Sequence, residues 1–125
     1  MLRSKRIGAC ISQKDLAAMA ETEPHTISRF ETGKQDVKLS TFLRMLAAVE
    51  GRLWLDHVLV TKAEDVYGVL GTAMIHQGMN NTKLAAICGV SQPALCRWTR
   101  KTIANATMER VMLALTALKV NINII

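Results

Sequence analysis

The sequence predicts an all-α protein made of two tandem helical units, each closing on a short β-strand, and three observations lead there. Aliphatic and alanine-rich segments recur at helical spacing through most of the 125 residues, broken by short polar punctuation around Gly33, Gly51, Gly78 and the pair Asn80 and Asn81. Two stretches, RLWLDHVLV (52 to 60) and NINII (121 to 125), alternate and are rich in β-branched residues, which suits strands. Finally, KLAAICGVSQPALCRW (83 to 98) repeats the pattern of DLAAMAETEPHTISRF (15 to 30).

The repeat has a register. A shift of 68 positions lays Leu16 on Leu84, Ala17 on Ala85, Ala18 on Ala86, Ile27 on Leu95, Arg29 on Arg97 and Phe30 on Trp98. After one inserted residue a shift of 69 lays Leu39 on Met108, Leu46 on Leu115, Ala48 on Ala117, Val49 on Leu118 and Leu53 on Ile122. The reading is a duplication of a unit of about 55 to 60 residues, with units at 1–60 and 61–125 and a joint near residues 61 to 65.

In the first unit LRSKRIGA leaves room for a short helix only, before a polar cap at Ser12. The helix that follows shows Leu16, Ala17 and Ala20 on one face, and its counterpart after Asn80 shows Leu84, Ala85 and Cys88. After three or four residues a second helix begins, in EPHTISRFE or SQPALCRWT, burying Ile27 with Phe30 or Leu95 with Trp98 at i and i+3. Helices joined so tightly cross steeply, and a steep close crossing needs a small residue such as Ala17 or Ala85 at the contact. Core positions by periodicity are Leu16, Ile27, Phe30, Leu39, Leu43, Leu46, Leu84, Leu95, Trp98, Val111, Leu115 and Leu118, with Met45, Met108 and Met112. The strand-like NINII presents an apolar edge and is expected to pair with RLWLDHVL of its own chain or with a partner's strand at a dimer interface.

Half the residues are apolar, enough for a core, and 16 lysines and arginines against 10 acids give a net charge of +6 and a pI near 9.6. That balance favours an anionic partner, nucleic acid or an acidic protein face. No apolar run reaches the roughly 18 residues that span a bilayer, and the first residues lack the apolar centre of a signal peptide, so the expectation is a cytoplasmic chain without membrane contact. Cys10, Cys88 and Cys96 lack C-x-x-C spacing, and His25, His57 and His76 lie far apart. The expectation is buried reduced thiols, no metal and no cofactor. No paired carboxylates, nucleophile with a base, or glycine-rich phosphate loop occurs, which argues against an enzyme.

These residues describe a helix-turn-helix. SQKDLAAMAETEPHTISRFETGK with LSTFLRMLAAV resembles the phage-repressor-like (Cro and Xre type) helix-turn-helix proteins, through the S-Q-x-x-L-A opening, the I-S-R-x-E-x-G close and the following L-x-x-x-L-x-x-L-A helix. In the second unit LAAICGVSQPALCRW is closer at the turn, where Gly89 stands in place of Glu21, while TRKTIANAT lacks the E-x-G pair. The resemblance covers about 11 to 55 and 65 to 125 and implies two tandem lambda-repressor-like domains.

It also implies a function: a sequence-specific DNA-binding regulator, a repressor, whose recognition helices near 24–31 and 92–99 lie in the major groove of double-stranded DNA. In the first unit the outward residues are His25, Thr26, Ser28 and Arg29, the arginine able to fork onto a guanine. Gln13 is placed where the family uses a glutamine to touch a phosphate and brace the recognition helix, and Lys34 just past the helix is a phosphate contact. The second set is Asn81, Gln92, Ala94 and Arg97, with Arg100 and Lys101 beyond, Gln92 being suited to adenine. Partners implied are DNA and a second copy as a homodimer. The alternative is an antitoxin that binds a toxin protein through residues 52 to 60 and regulates its own promoter. An RNA-binding module would have only Trp54 and Tyr67 as exposed stacking rings.

Overall fold

The computed structural model describes every residue except Met1, Val90, Gln92, Ala94, Cys96, Arg97, Thr99, Arg100 and Lys101. Its elements are α1 (Leu2–Gly8), α2 (Gln13–Met19), α3 (Pro24–Glu31), α4 (Leu39–Ala48), β1 (Leu53–Leu55), β2 (Val58–Val60), α5 (Ala63–Gln77) and α6 (Asn81–Cys88). A single 3-10 turn (Ile103–Asn105), α7 (Met108–Ala117) and β3 (Ile122–Ile124) follow. The chain is mostly helical, with a small antiparallel sheet of order β2-β1-β3. Among the described residues no helix is long and apolar enough to cross a membrane.

The helix starts follow from local chemistry. Ser12 Oγ accepts from the Asp15 amide at 3.0 Å and Asn80 Oδ1 accepts from the Lys83 amide at 2.9 Å, each satisfying a first-turn donor that has no partner within its helix. At the start of α5, Asp65 Oδ2 accepts from the Thr61 amide and hydroxyl, both at 3.0 Å. The hydrogen bond from the Thr61 amide is the main reason its carboxyl lies below the ordinary aspartate value. The turn after α6 is made by Gly89 in the left-handed region (φ 68°), and the turn after α2 puts Glu21 in the same region (φ 56°) despite its side chain.

The apolar residues of both halves form one continuous cluster, and among the described residues no polar or charged residue is buried. Leu39, Phe42, Met45 and Leu46 of α4 with Val49 at its end are buried, as are Met108, Val111, Ala114 and Leu115 of α7 with Leu118 at its end, at matching steps of 69. Phe30, Leu43, Trp98 and Met112 are half-buried at its rim. Cys88 is buried, with its thiol pKa pushed up by that burial, but Cys10 is exposed, contrary to expectation, because it sits in the left-handed turn (φ 59°) beyond α1. Cys96 lies outside the described residues.

The halves join along two antiparallel seams. Lys38 and Thr107 form an isolated bridge, with the Leu39 amide donating to the Ala106 carbonyl at 2.8 Å and the Met108 amide to the Val37 carbonyl at 2.9 Å. Beside it Asp36 Oδ2 accepts from the Glu109 amide at 2.8 Å, in the first turn of α7. In the sheet, β1 pairs with β3, Trp54 facing Asn123, so the NINII edge finds its partner in its own chain. The other neighbour of β1 is β2, reached by a two-residue turn at Asp56 and His57, in which Asp56 takes φ 54°. Asp56 Oδ1 also accepts from the Asn121 amide at 3.0 Å.

Candidate nucleic-acid interface

The candidate interface is built on α2 and α3. Ala17 and Ala20, 1% and 0% exposed, present so little bulk that α3 crosses close above α2 and drives Ile27 fully into the core. Pro24 opens α3, where its missing amide hydrogen costs nothing. Phe30 meets Phe42 of α4 edge to face, with ring centroids 6.1 Å apart. The far end is sealed by Thr32, whose hydroxyl donates to the Ser28 carbonyl at 2.9 Å, and by the Lys34 amide, which donates to the Arg29 carbonyl at 2.8 Å across Gly33 (φ 75°).

Behind α3 lies an ionic clamp that sequence reading missed. Arg6 of α1 reaches Glu31 with both prongs, Nε to Oε2 and Nη2 to Oε1, each at 2.9 Å, and its Nη1 donates to the Ile11 carbonyl at 2.9 Å. Gln13 Nε2 adds a bond to Glu31 Oε1 at 3.3 Å. The Glu31 side chain is 2% exposed and that of Arg6 11%. Burial alone would raise the Glu31 pKa, but the hydrogen bonds from Arg6 and Gln13 and the charges of Arg6 and Arg3 outweigh it and hold it below the ordinary glutamate value. The guanidinium of Arg6 is raised by its bond to Glu31. Glu31 had a sequence signal, the glutamate of I-S-R-x-E-x-G; Arg6, 25 positions away, had none. Arg44, also missed, donates from Nε to the Ala20 carbonyl at 3.0 Å, tying α4 to the end of α2.

The first set of site residues comes together on and beside α3. His25 and Arg29 are exposed, and Thr26 and Ser28 are half-buried. His25 Nδ1 lies 3.1 Å from Glu23 Oε2 at the open end of the helix. Arg29 has no ion pair among the described residues and Lys34 is exposed, so both cations are available to an anion. Gln13 is half-buried and braces α3 through Glu31. In the second set Asn81 is exposed at the first turn of α6, while Gln92, Ala94, Arg97, Arg100 and Lys101 lie outside the described residues. Between them Pro93 and Leu95 are helical, Leu95 is buried, and the Leu95 amide donates to the Ser91 carbonyl at 3.1 Å, as that of Ile27 does to Glu23.

Hollows among the described residues lie elsewhere. One of about 190 Å³ is lined by Tyr67, Leu70, Met74, Leu84, Leu95 and Trp98, with Gly71 and Asn81 at its border. A wider groove of about 580 Å³ runs between α5, the Asp56 turn and residues 118–120; no residue of the two predicted DNA-reading sets lines it, but Leu55, Asp56 and Val58 of the 52–60 segment do. Among the described residues no group of three or more histidines, cysteines or acids could hold a metal ion. No protein-family model, curated protein or solved structure matches the chain.

Proposed function

We propose that the chain is a sequence-specific DNA-binding transcriptional regulator, a repressor, built from two tandem lambda-repressor-like helix-turn-helix units. The observation that carries this reading is α3 itself: a short helix fixed from behind by the Arg6, Glu31 and Gln13 clamp, with His25 and Arg29 exposed, Thr26 and Ser28 half-buried between them, and no ion pair to Arg29 among the described residues. A rigid rod carrying a free guanidinium fork suits the major groove, where arginine bonds guanine O6 and N7 together. Lys34, beyond the rod, is positioned as a phosphate contact, and the net charge of +6 adds long-range attraction to the duplex. The tandem reading is supported by the shared offsets: left-handed residues at Cys10 and Gly78 and at Glu21 and Gly89 are 68 apart, and those at Glu50 and Lys119 are 69 apart.

Binding of duplexes selected from random DNA tests this. The Arg29→Ala variant should bind the selected site about 5- to 150-fold more weakly, while Lys34→Ala should weaken all sequences alike and reduce the salt slope by about 1. Unchanged affinity in Arg29→Ala would remove α3 as a reader. A second reading, an antitoxin with a protein partner, draws on β2: this edge strand leaves Val58 and Leu59 44% and 37% exposed. Capture of a co-encoded toxin that Val58→Asp abolishes would favour it.

A further inference from the structure

We propose that one chain occupies a whole operator by itself, and that this operator consists of two unlike half-sites about one helical turn apart; the inference rests on the DNA-binding reading above. Symmetric DNA-binding dimers meet through isologous contacts, in which residue i of one copy touches residue j of the other and j touches i. The contacts between the two halves have that reciprocal form within one chain.

Lys38 faces Thr107, 69 positions on, across the bridge, and Trp54 faces Asn123, also 69 on, in the sheet. The flanking bonds exchange under the same step: Leu39 amide to Ala106 carbonyl becomes Met108 amide to Val37 carbonyl, 2.8 Å and 2.9 Å. Further along, Asp56 amide to Asn121 carbonyl at 2.8 Å becomes Ile125 amide to Arg52 carbonyl at 2.9 Å. An approximate two-fold axis therefore passes through both seams. The reason for a second chain is also met internally, because β3 already has β1 as its partner.

The same step of 68 that carries Ile27 to Leu95 carries the outward residues of α3 to new identities. His25 becomes Pro93, Thr26 becomes Ala94 and Ser28 becomes Cys96; only Arg29 keeps its type, as Arg97. A two-fold relation sets the reading residues of the two units against two half-sites in opposite directions, as in a palindrome reader, but their identities ask for different bases at all positions except the one met by arginine. The operator is then a two-part sequence with one symmetric base pair in each half and no palindrome around it.

The test uses the full chain in a selection from random duplexes, followed by native mass measurement of the complex and repetition of the selection with Arg29→Ala. The expected result is one chain per duplex, a consensus of two dissimilar parts, and a variant that loses base preference in one part only, with about 5- to 150-fold weaker binding. Two chains per duplex, a palindromic consensus, or loss of preference in both parts at once would overturn the single-chain operator and leave the regulator reading standing. A chain that enriches no sequence overturns both.

Discussion

Where the N-terminal half carries Arg6 against Glu31, the C-terminal half carries Met74 and Thr99 at the step of 68, and a hollow of about 190 Å³ lies against Met74. Gln13, which completes the clamp, corresponds to Asn81 at the edge of that hollow. The surrounding backbone is alike: both helices of the pair start at a side-chain cap and leave through a left-handed residue. One half thus carries a charged pair where the other carries two uncharged residues. The difference teaches that a helix with the same kind of cap and exit as α2 forms without the clamp, since α6 does so.

The largest effect should come from unbalancing the clamp. Glu31→Gln leaves the half-buried Arg6 guanidinium without its counter-charge and should cost about 2 to 3 kcal/mol in urea unfolding. Replacing both partners with the residues of the other half, Arg6→Met with Glu31→Thr, should cost clearly less than either single change, because no charge is stranded. A double variant as unstable as the singles would break the comparison. Acid provides a check on the same pair. The Glu31 pKa is lower folded than unfolded, so its contribution is complete above the ordinary carboxylate range and is lost as pH falls through the depressed value. Between about pH 6 and about pH 3 the thermal midpoint of the natural chain should fall further than that of Glu31→Gln.

Next comes the end of α4 against the end of α7. The Gly51 amide donates to the Leu46 carbonyl at 2.8 Å, and at the step of 69 the Val120 amide donates to Leu115 at 3.0 Å. Val120 is buried comfortably, yet a Cβ at Gly51 would collide with Leu46, coming within 3.0 Å of its Cγ. Gly51→Ala should therefore cost about 1 to 3 kcal/mol in the same assay, although the equivalent position holds a valine. The smallest effect concerns the turns. Glu21→Gly should gain about 0.5 to 1 kcal/mol by removing a side chain from a left-handed residue, and Gly89→Ala should lose about 1 kcal/mol. Equal responses at the two turns would mean that their backbones are not alike.

Much of this was legible because it was written in short-range signals. Ser12 and Asn80 cap the helices they precede, the alternating stretches are strands, and the periodic leucines lie in or against the core. What escaped was long-range or sterically unusual. Arg6 reads as one more basic residue of a basic chain until folding brings it to Glu31. The bridge between Lys38 and Thr107 involves backbone atoms, which leave no mark in residue type. Cys10, Glu21, Glu50, Asp56 and Lys119 take a left-handed conformation that favours glycine, at helix ends and in the β1–β2 turn, where their residue types, Asp56 apart, give no signal of it. Of the α3 face, the residue types were legible but the bracing of Gln13 onto Glu31 was not, since nothing in the spacing of 18 residues fixes that contact.

The seam at Lys38 and Thr107 has a consequence for a cell holding few molecules. Subunits that meet by diffusion part when diluted, and they can exchange with damaged copies. Here the mating surfaces are tethered by the polypeptide itself, so their local concentration is set by chain length and not by expression level. Under the single-chain operator proposed above, every molecule made is already assembled.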